Sequence, residues 1–315
     1  MSAPEGTSRL SRQRIRSAWL FLAPMLIVLF IVAAWPLGRT IWFSFTDASL
    51  DLMSEAEFIG FRNYLEWVDF GDGEGAWYGL LADQRWWRSV WNTVVFATVS
   101  VTFETIFGLI IALVLHQQFA GRGLVRAAVL IPWAIPTIVS AKMWAWMMHD
   151  QFGILNDMFM ALGLIAEPVA WTASPDTAMI AVLIVDIWKT TPFMALLILA
   201  GLQMVPEDIY EAARLDGVPP WRVFRKLTLP LIMPAVLVAV VFRALDALRV
   251  FDIVYVLTPN TDATRTMSVY ARENLFDFDQ FAYGSAASTV LFLVIALITI
   301  TFIMATRMDL EGKRQ

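Results

Sequence analysis

The chain has 315 residues, 58% of them apolar and only 16% charged, where soluble domains carry about 25% charged residues. A mean hydropathy of +0.63 and a net charge of −5 exclude a soluble catalytic domain, a nucleic-acid reader and a disordered scaffold. Cysteine is absent and the histidines are His116 and His149 alone, so disulfides, thiolate chemistry and Cys/His metal sites drop out.

A membrane-spanning helix needs about 20 mostly apolar residues. Six stretches reach that length, at about 18–38, 90–115, 125–148, 178–202, 231–256 and 283–305. They predict an all-α polytopic membrane protein. Arg9, Arg12, Arg14 and Arg16 precede the first stretch, and Val32-Ala33-Ala34 looks like a small-residue cleavage site, so a signal peptide is the alternative there. The run from Ala18 to Leu37 is longer than a signal core and reads as an anchor. Residues 1–17 then form a cytoplasmic segment, 18–310 the membrane domain and 311–315 a cytoplasmic tail.

The loop 43–89 is acidic and aromatic, as in Phe58-Ile59-Gly60-Phe61-Arg62-Asn63-Tyr64 and Trp86-Trp87. That composition predicts a folded external loop rather than a Gly/Ser linker; the alternative is a loose loop resting on lipid headgroups through its tryptophans. Lysine and arginine concentrate in 1–17, 116–126, 203–230 and 306–315 and thin out in the alternate loops. By the positive-inside rule both termini are cytoplasmic.

Each charge inside a span costs about 2.5–3.5 kcal/mol on insertion scales, so it faces a cavity, a partner helix or another charge. Those here are Glu104, Lys142, Asp186, Lys189, Arg243, Asp246, Arg249 and Asp252. Glu104 and Lys142 read as a structural pair or as contacts to a neighbouring subunit. Arg243 with Asp246, and Arg249 with Asp252, stand at i,i+3 and are expected to neutralise each other. Trp144 and Trp146 read as part of an interfacial belt. Pro132, Pro136, Pro192 and Pro234 interrupt the spans; Pro192, directly after Trp188-Lys189-Thr190-Thr191, is the one expected to free backbone carbonyls.

The loop 203–230 reads as two short helices at a sharp corner. Pro206 suits a first helical position, and Glu207 and Asp208 complement the helix dipole. Gly217 suits a left-handed terminating residue, and Pro219 blocks continuation. Pro220 then opens a second helix, with Trp221, Phe224 and Leu227 on its apolar face and Arg222, Arg225 and Lys226 on the other. The small pair Ala212-Ala213 lets another surface approach the backbone. A helix lying flat on the inner leaflet is the alternative, for which Ala-Ala and Gly-Pro-Pro make a poor face. There is no Walker A loop, no His-Glu-x-x-His and no Gly-x-Ser-x-Gly.

Glu211-Ala212-Ala213, three residues, Gly217, then Leu229-Pro230 resembles the EAA loop of the membrane subunits of binding-protein-dependent ABC importers. Trp91-Asn92-Thr93, Gly60-x-x-Asn63-Tyr64 and Thr306-Arg307-Met308 are similar to the first-type permease of the carbohydrate group, the maltose and glycerol-phosphate type. The resemblance implies the type I importer permease fold, a second homologous permease as heterodimer partner, two cytoplasmic ATPase subunits and an extracytoplasmic sugar-binding protein. ATP and Mg would sit on the ATPase chains, with no cofactor on this one. It implies that Glu211, Ala212, Ala213, Asp216 and Gly217 couple to the ATPase. It also places a substrate path at Lys189, Thr190 and Phe193 on the helix before the loop and at Arg243, Asp246, Ala247 and Val250 on the helix after it. Here the sequence departs from the maltose type, offering a charged pair and Ala247 in place of amides and hydroxyls. Charged groups and aromatic faces such as Phe193 or Trp188 still suit a sugar, and a disaccharide or α-glucoside is expected, with polyols, monosaccharides and glycerol phosphate as rivals. Interhelical salt bridges are the rival account of the charges. The competing functions are an ion-coupled transporter using Glu104, Asp186 and Asp246, and a membrane enzyme, for which the sequence lacks a nucleophile or metal cluster.

Overall fold

The structure, a computed structural model, describes residues 9–71 and 74–305. Thr306-Arg307-Met308, the tail 311–315 and residues 1–8 of the N-terminal segment lie outside the described residues. The chain divides into two compact units. One runs to Leu80 and takes in Asn274–Thr289; the other holds Leu81–Glu273 and the residues from Val290 on.

The first unit opens with a long apolar helix: α1 (Arg9–Leu29), a π-helical turn (Phe30–Ala34) and α2 (Trp35–Phe43). Its most apolar stretch has none of its surface buried within the chain, so its side chains are left for lipid or another subunit. The following loop is folded. Asn63 is its tether, donating to the carbonyls of Ser44 at 3.0 Å and Thr46 at 2.8 Å, while Tyr64 donates to Ser44 Oγ at 2.6 Å. Phe45 packs against Phe58, Phe61 and Tyr64. β1 (Glu66–Asp69) pairs antiparallel with β2 (Gly75–Tyr78), bringing Trp67 opposite Trp77. The Gly60-x-x-Asn63-Tyr64 stretch is thus a structural device that closes the loop onto the end of α2.

In the second unit α3 (Gln84–His116) is capped by Asp83, which accepts from the Arg85 N–H at 2.7 Å. It packs along α7 (Ala178–Gln203). Gly108 permits the closeness: a Cβ there would stand 2.9 Å from the Cβ of Met194, the small-residue contact by which membrane helices approach. α10 (Leu229–Ala247) packs on both. One core cluster gathers Phe96, Val182, Val185 and Val254, and another gathers Leu115, Ile198, Leu202 and Ile232.

Two expected spans are broken. Over 125–148 the structure has α4 (Arg122–Ala134) and α5 (Thr137–Met147), bent by 89°. Ile135 is extended at ψ 133° and Pro136 at ψ 139°, because a residue preceding proline is driven out of the helical region. Over 231–256, α10 stops at Ala247 and α11 (Asp252–Leu257) starts after a four-residue break. α7, by contrast, runs unbroken through Pro192; the carbonyls that matter are freed at Pro136. Among the described residues five helices are long and apolar enough to cross a membrane, or six with the bent pair as one span.

α6 (Ile154–Ala161) lies between α5 and α7, followed by α8 (Glu207–Leu215) and α9 (Pro220–Val223), which enters α10 through a π-helical turn, Phe224–Thr228. After α11 come α12 (Met267–Arg272) and, beyond a π-helical turn, α13 (Phe281–Ala305). The Trp91-Asn92-Thr93 stretch ties the start of α3 to the loop before α12. Asn92 donates to the carbonyls of Asp262 at 2.9 Å and Arg265 at 3.0 Å, and Thr93 Oγ1 accepts from the Met267 N–H at 2.9 Å. Asn92→Ala removes both donors from a buried site and is expected to destabilise the protein by about 1–3 kcal/mol. A thermal unfolding scan of the solubilised complex checks it: an unchanged midpoint rules out the tether.

Candidate functional sites: a helical elbow and an intramembrane cavity

The elbow between α7 and α10 is built by local rules. α8 carries Glu207 and Asp208 in its first turn and Arg214 in its last, the order its dipole favours. It ends in a Schellman motif: Gly217 stands at φ +67°, its N–H donates to Arg214 O at 3.1 Å, and the Val218 N–H donates to Ala213 O at 3.0 Å. Pro219 is extended and Pro220 begins α9. Glu211, Ala212, Asp216 and Gly217 are exposed. Ala213 is not; it is 5% exposed and turned into the chain, so only Ala212 of the small pair is open to another protein. Trp221 also differs from expectation. Its ring lies 5.7 Å from that of Phe224 but stays 69% exposed, and with Met204 and Leu215 it leaves unusual apolar surface on this segment.

The second site lies where the two helix breaks meet α7. A cavity of about 590 Å³ opens there, within the range of small-molecule sites. Of the sequence-predicted residues, Lys189, Thr190, Arg243, Asp246 and Val250 line it. Ala247 does not; it is fully buried in the apolar core beside Val254. Phe193 stacks on Trp133, centroids 6.0 Å apart, and it is Trp133 that reaches the wall. Trp188 is occupied by Trp144, 5.5 Å away, so Trp144 takes part in the helix packing.

Arg243 is the hub. Its Nε donates to Glu104 Oε2 at 2.5 Å, Nη2 to Glu104 Oε1 at 3.0 Å and also to Asp186 Oδ2, and Nη1 to Asp246 Oδ2 at 3.0 Å. Ser100 Oγ sits between the carboxylates, 2.7 Å from Glu104 Oε1 and 2.6 Å from Asp186 Oδ2; Thr190 Oγ1 reaches Glu104 as well. One guanidinium thus joins α3, α7 and α10 in a fully hydrogen-bonded network. The expected Glu104–Lys142 pairing is not formed: Glu104 is fully buried against Arg243, and Lys142 is exposed on α5. Nor do Arg249 and Asp252 pair, because α10 ends at Ala247 and Arg249 lies in the break before α11; Arg249 instead approaches Asp246 at 3.9 Å. Lys189 serves the other break. Its Nζ donates to the Ile135 carbonyl at 2.6 Å, one of the groups left without a helical partner by Pro136.

Residues 104–310 match the family of inner membrane components of binding-protein-dependent transport systems. The chain belongs to this family. The permease is 40% identical to the trehalose/maltose transport system permease protein MalF of Thermococcus litoralis, over 96% of its own length and 97% of that protein's. It is 38% identical to the trehalose transport system permease protein SugA of Mycobacterium tuberculosis, over 94% and 90% of the two chains. Its fold matches a chain of the bacterial alginate ABC transporter solved with an alginate pentasaccharide-bound periplasmic protein, at a TM-score of 0.77, 22% identity and 95% and 98% coverage. The all-α permease fold is therefore as expected. This chain is a transport component of an ABC importer in the inner membrane, working with a binding protein and further subunits.

Family membership sets aside the ion-coupled transporter and the membrane enzyme. The geometry agrees, since Glu104, Asp186 and Asp246 all accept from Arg243. Sequence reasoning flagged Glu104 and Asp186 as misplaced charges but left them off the path. Their signal was their cost in a span; what it lacked was the partner. Trp133 and the Ile135 carbonyl carried no signal of their own.

Proposed function

We propose that the permease passes a disaccharide of the trehalose or maltose class from an extracytoplasmic binding protein through the cavity beside Arg243. It does so as one half of a heterodimer with a second homologous permease, with both termini in the cytoplasm. Two cytoplasmic ATPase subunits bind ATP and Mg and act on Glu211, Ala212, Asp216 and Gly217, with Ala213 packed behind them; the permease itself binds no cofactor. The observation that carries the reading is the cavity at the two helix breaks, with carboxylates, cationic groups and the indole of Trp133 on its wall. Hydroxyls take charge-assisted hydrogen bonds from such groups, and sugar C–H faces rest on an indole. The names of the similar permeases favour the same substrate class. The schellman-capped elbow, rigid and open on its Ala212 face, supports the coupling role.

The test is ATPase activity of the co-purified complex in lipid nanodiscs with its binding protein, scanned over disaccharides, monosaccharides and polyols. Stimulation by a disaccharide is expected. Stimulation by polyols or monosaccharides alone would move the substrate class, and no stimulation by any sugar would overturn the reading.

A further inference from the structure

Six charged side chains line the cavity: Asp186, Lys189, Arg243, Asp246, Arg249 and Asp252. Two of the three cations are already committed to the protein. Arg243 is 3% exposed and spends its donors on Glu104, Asp186 and Asp246. Lys189 is 8% exposed and turned to the backbone of the α4–α5 break. Arg249 is solvent-exposed and lies between two carboxylates in sequence, reaching Asp246 at 3.9 Å, with Asp252 three residues on. Glu104, bonded to Arg243 behind the wall, adds a carboxylate that the lining itself does not show. With every group ionised the site holds four carboxylates against three cations, one negative charge in surplus.

A negatively charged ligand needs an uncommitted cation; Arg243 and Lys189 are committed, and Arg249, the remaining cation on the wall, is flanked in sequence by Asp246 and Asp252 and approaches Asp246 at 3.9 Å. A neutral polyhydroxyl ligand needs acceptors and an apolar face. Asp246 has a side chain 61% exposed, Asp252 is exposed at the start of α11, and Trp133 is 49% exposed on the opposite helix break. We infer that the cavity is a charge filter: it accepts neutral sugars and rejects phosphorylated, sulfonated or uronate sugars, with Asp246 and Asp252 imposing the rejection. The inference rests on the sugar-import reading and narrows it, removing sugar phosphates from the substrates the permease carries.

The test is equilibrium binding of radiolabelled trehalose, maltose and trehalose 6-phosphate to the full permease–ATPase complex in nanodiscs. The binding protein is omitted, so that its own selectivity does not intervene. Trehalose 6-phosphate is expected to bind at least tenfold more weakly than trehalose, the size that a single like charge at a partly buried site produces. Replacing Asp246→Asn with Asp252→Asn changes the surplus from one negative to one positive charge and is expected to narrow that ratio by about tenfold. An unfolding midpoint like that of the unaltered complex shows that the doubly substituted complex is folded, because Glu104 and Asp186 keep Arg243 paired; the phosphate-to-neutral ratio is then read whatever the absolute affinity for the neutral disaccharide. Equal affinity for trehalose and its phosphate in the unaltered complex overturns the filter and leaves sugar import standing. An unchanged ratio in the double variant overturns the assignment to Asp246 and Asp252. If neither disaccharide binds and neither stimulates ATP hydrolysis when the binding protein is restored, the import reading fails and the filter with it.

Discussion

Gly217→Asp is expected to leave the complex assembled in the membrane while reducing sugar-stimulated ATP hydrolysis and uptake by at least tenfold. Gly217 holds φ +67° at the end of α8, a conformation that costs a side chain roughly 1–2 kcal/mol. Its two neighbouring hydrogen bonds set the angle at which the chain leaves for Pro219. The substitution strains that corner and adds a carboxylate to a surface that already shows Glu211 and Asp216. Gly217→Ala carries the strain without the charge and should fall between. Glu211→Lys reverses a charge on the exposed side of α8, where no helix geometry is at stake, and should uncouple by a different route. Normal uptake in both Gly217→Asp and Glu211→Lys would sink the coupling assignment.

The second large effect is expected at Arg243. Replacing it by Met strands Glu104 and Asp186, both buried, without their cation. Breaking a buried pair on one side costs about 3–5 kcal/mol, so Arg243→Met should reach the membrane in small amount and melt well below the unaltered complex. The triple change Arg243→Met, Glu104→Gln, Asp186→Asn removes the stranded charges and should recover most of the midpoint, because amides still bond to Ser100 and Thr190. Unfolding scans of the three complexes side by side decide it. If Arg243→Met melts like the unaltered protein, the network does not hold α3, α7 and α10 together. If the triple variant recovers stability but not transport, the charges serve the cavity as well as the fold.

Hydropathy made the membrane class legible, since apolar runs of span length have no other use. The elbow was legible for a related reason. Pro206, Gly217, Pro219 and Pro220 fix backbone angles within a few residues, and such local rules need no distant partner. Local rules were less reliable on which side chains face outward: Ala213 turned inward and Trp221 stayed open, because the direction of a helix face depends on what packs against it.

The cavity was read only in part. Lys189, Thr190, Arg243, Asp246 and Val250 reach it, but Ala247 points into the core and Phe193 acts through Trp133. The suggested Glu104–Lys142 pair does not form; pairing by spacing held at Arg243–Asp246 and failed at Arg249–Asp252. An i,i+3 rule assumes that the helix continues, and α10 ends at Ala247. In the sequence Pro192, not Pro136, is the proline expected to free backbone carbonyls. In the structure α7 absorbs Pro192 in a buried setting, whereas Pro136 is where α4 and α5 part by 89° and Lys189 supplies the missing donor.

The amino acids along the chain therefore settled the membrane class, the folded loop and the elbow, because the hydrophobic run, the aromatic cluster and the proline–glycine corner each act over a short stretch. Which charges meet was settled only in three dimensions. Glu104, Asp186 and Arg243 lie far apart in the chain and on three helices; desolvation requires each to find an opposite charge, and the packing of α3, α7 and α10 alone determines which one it finds.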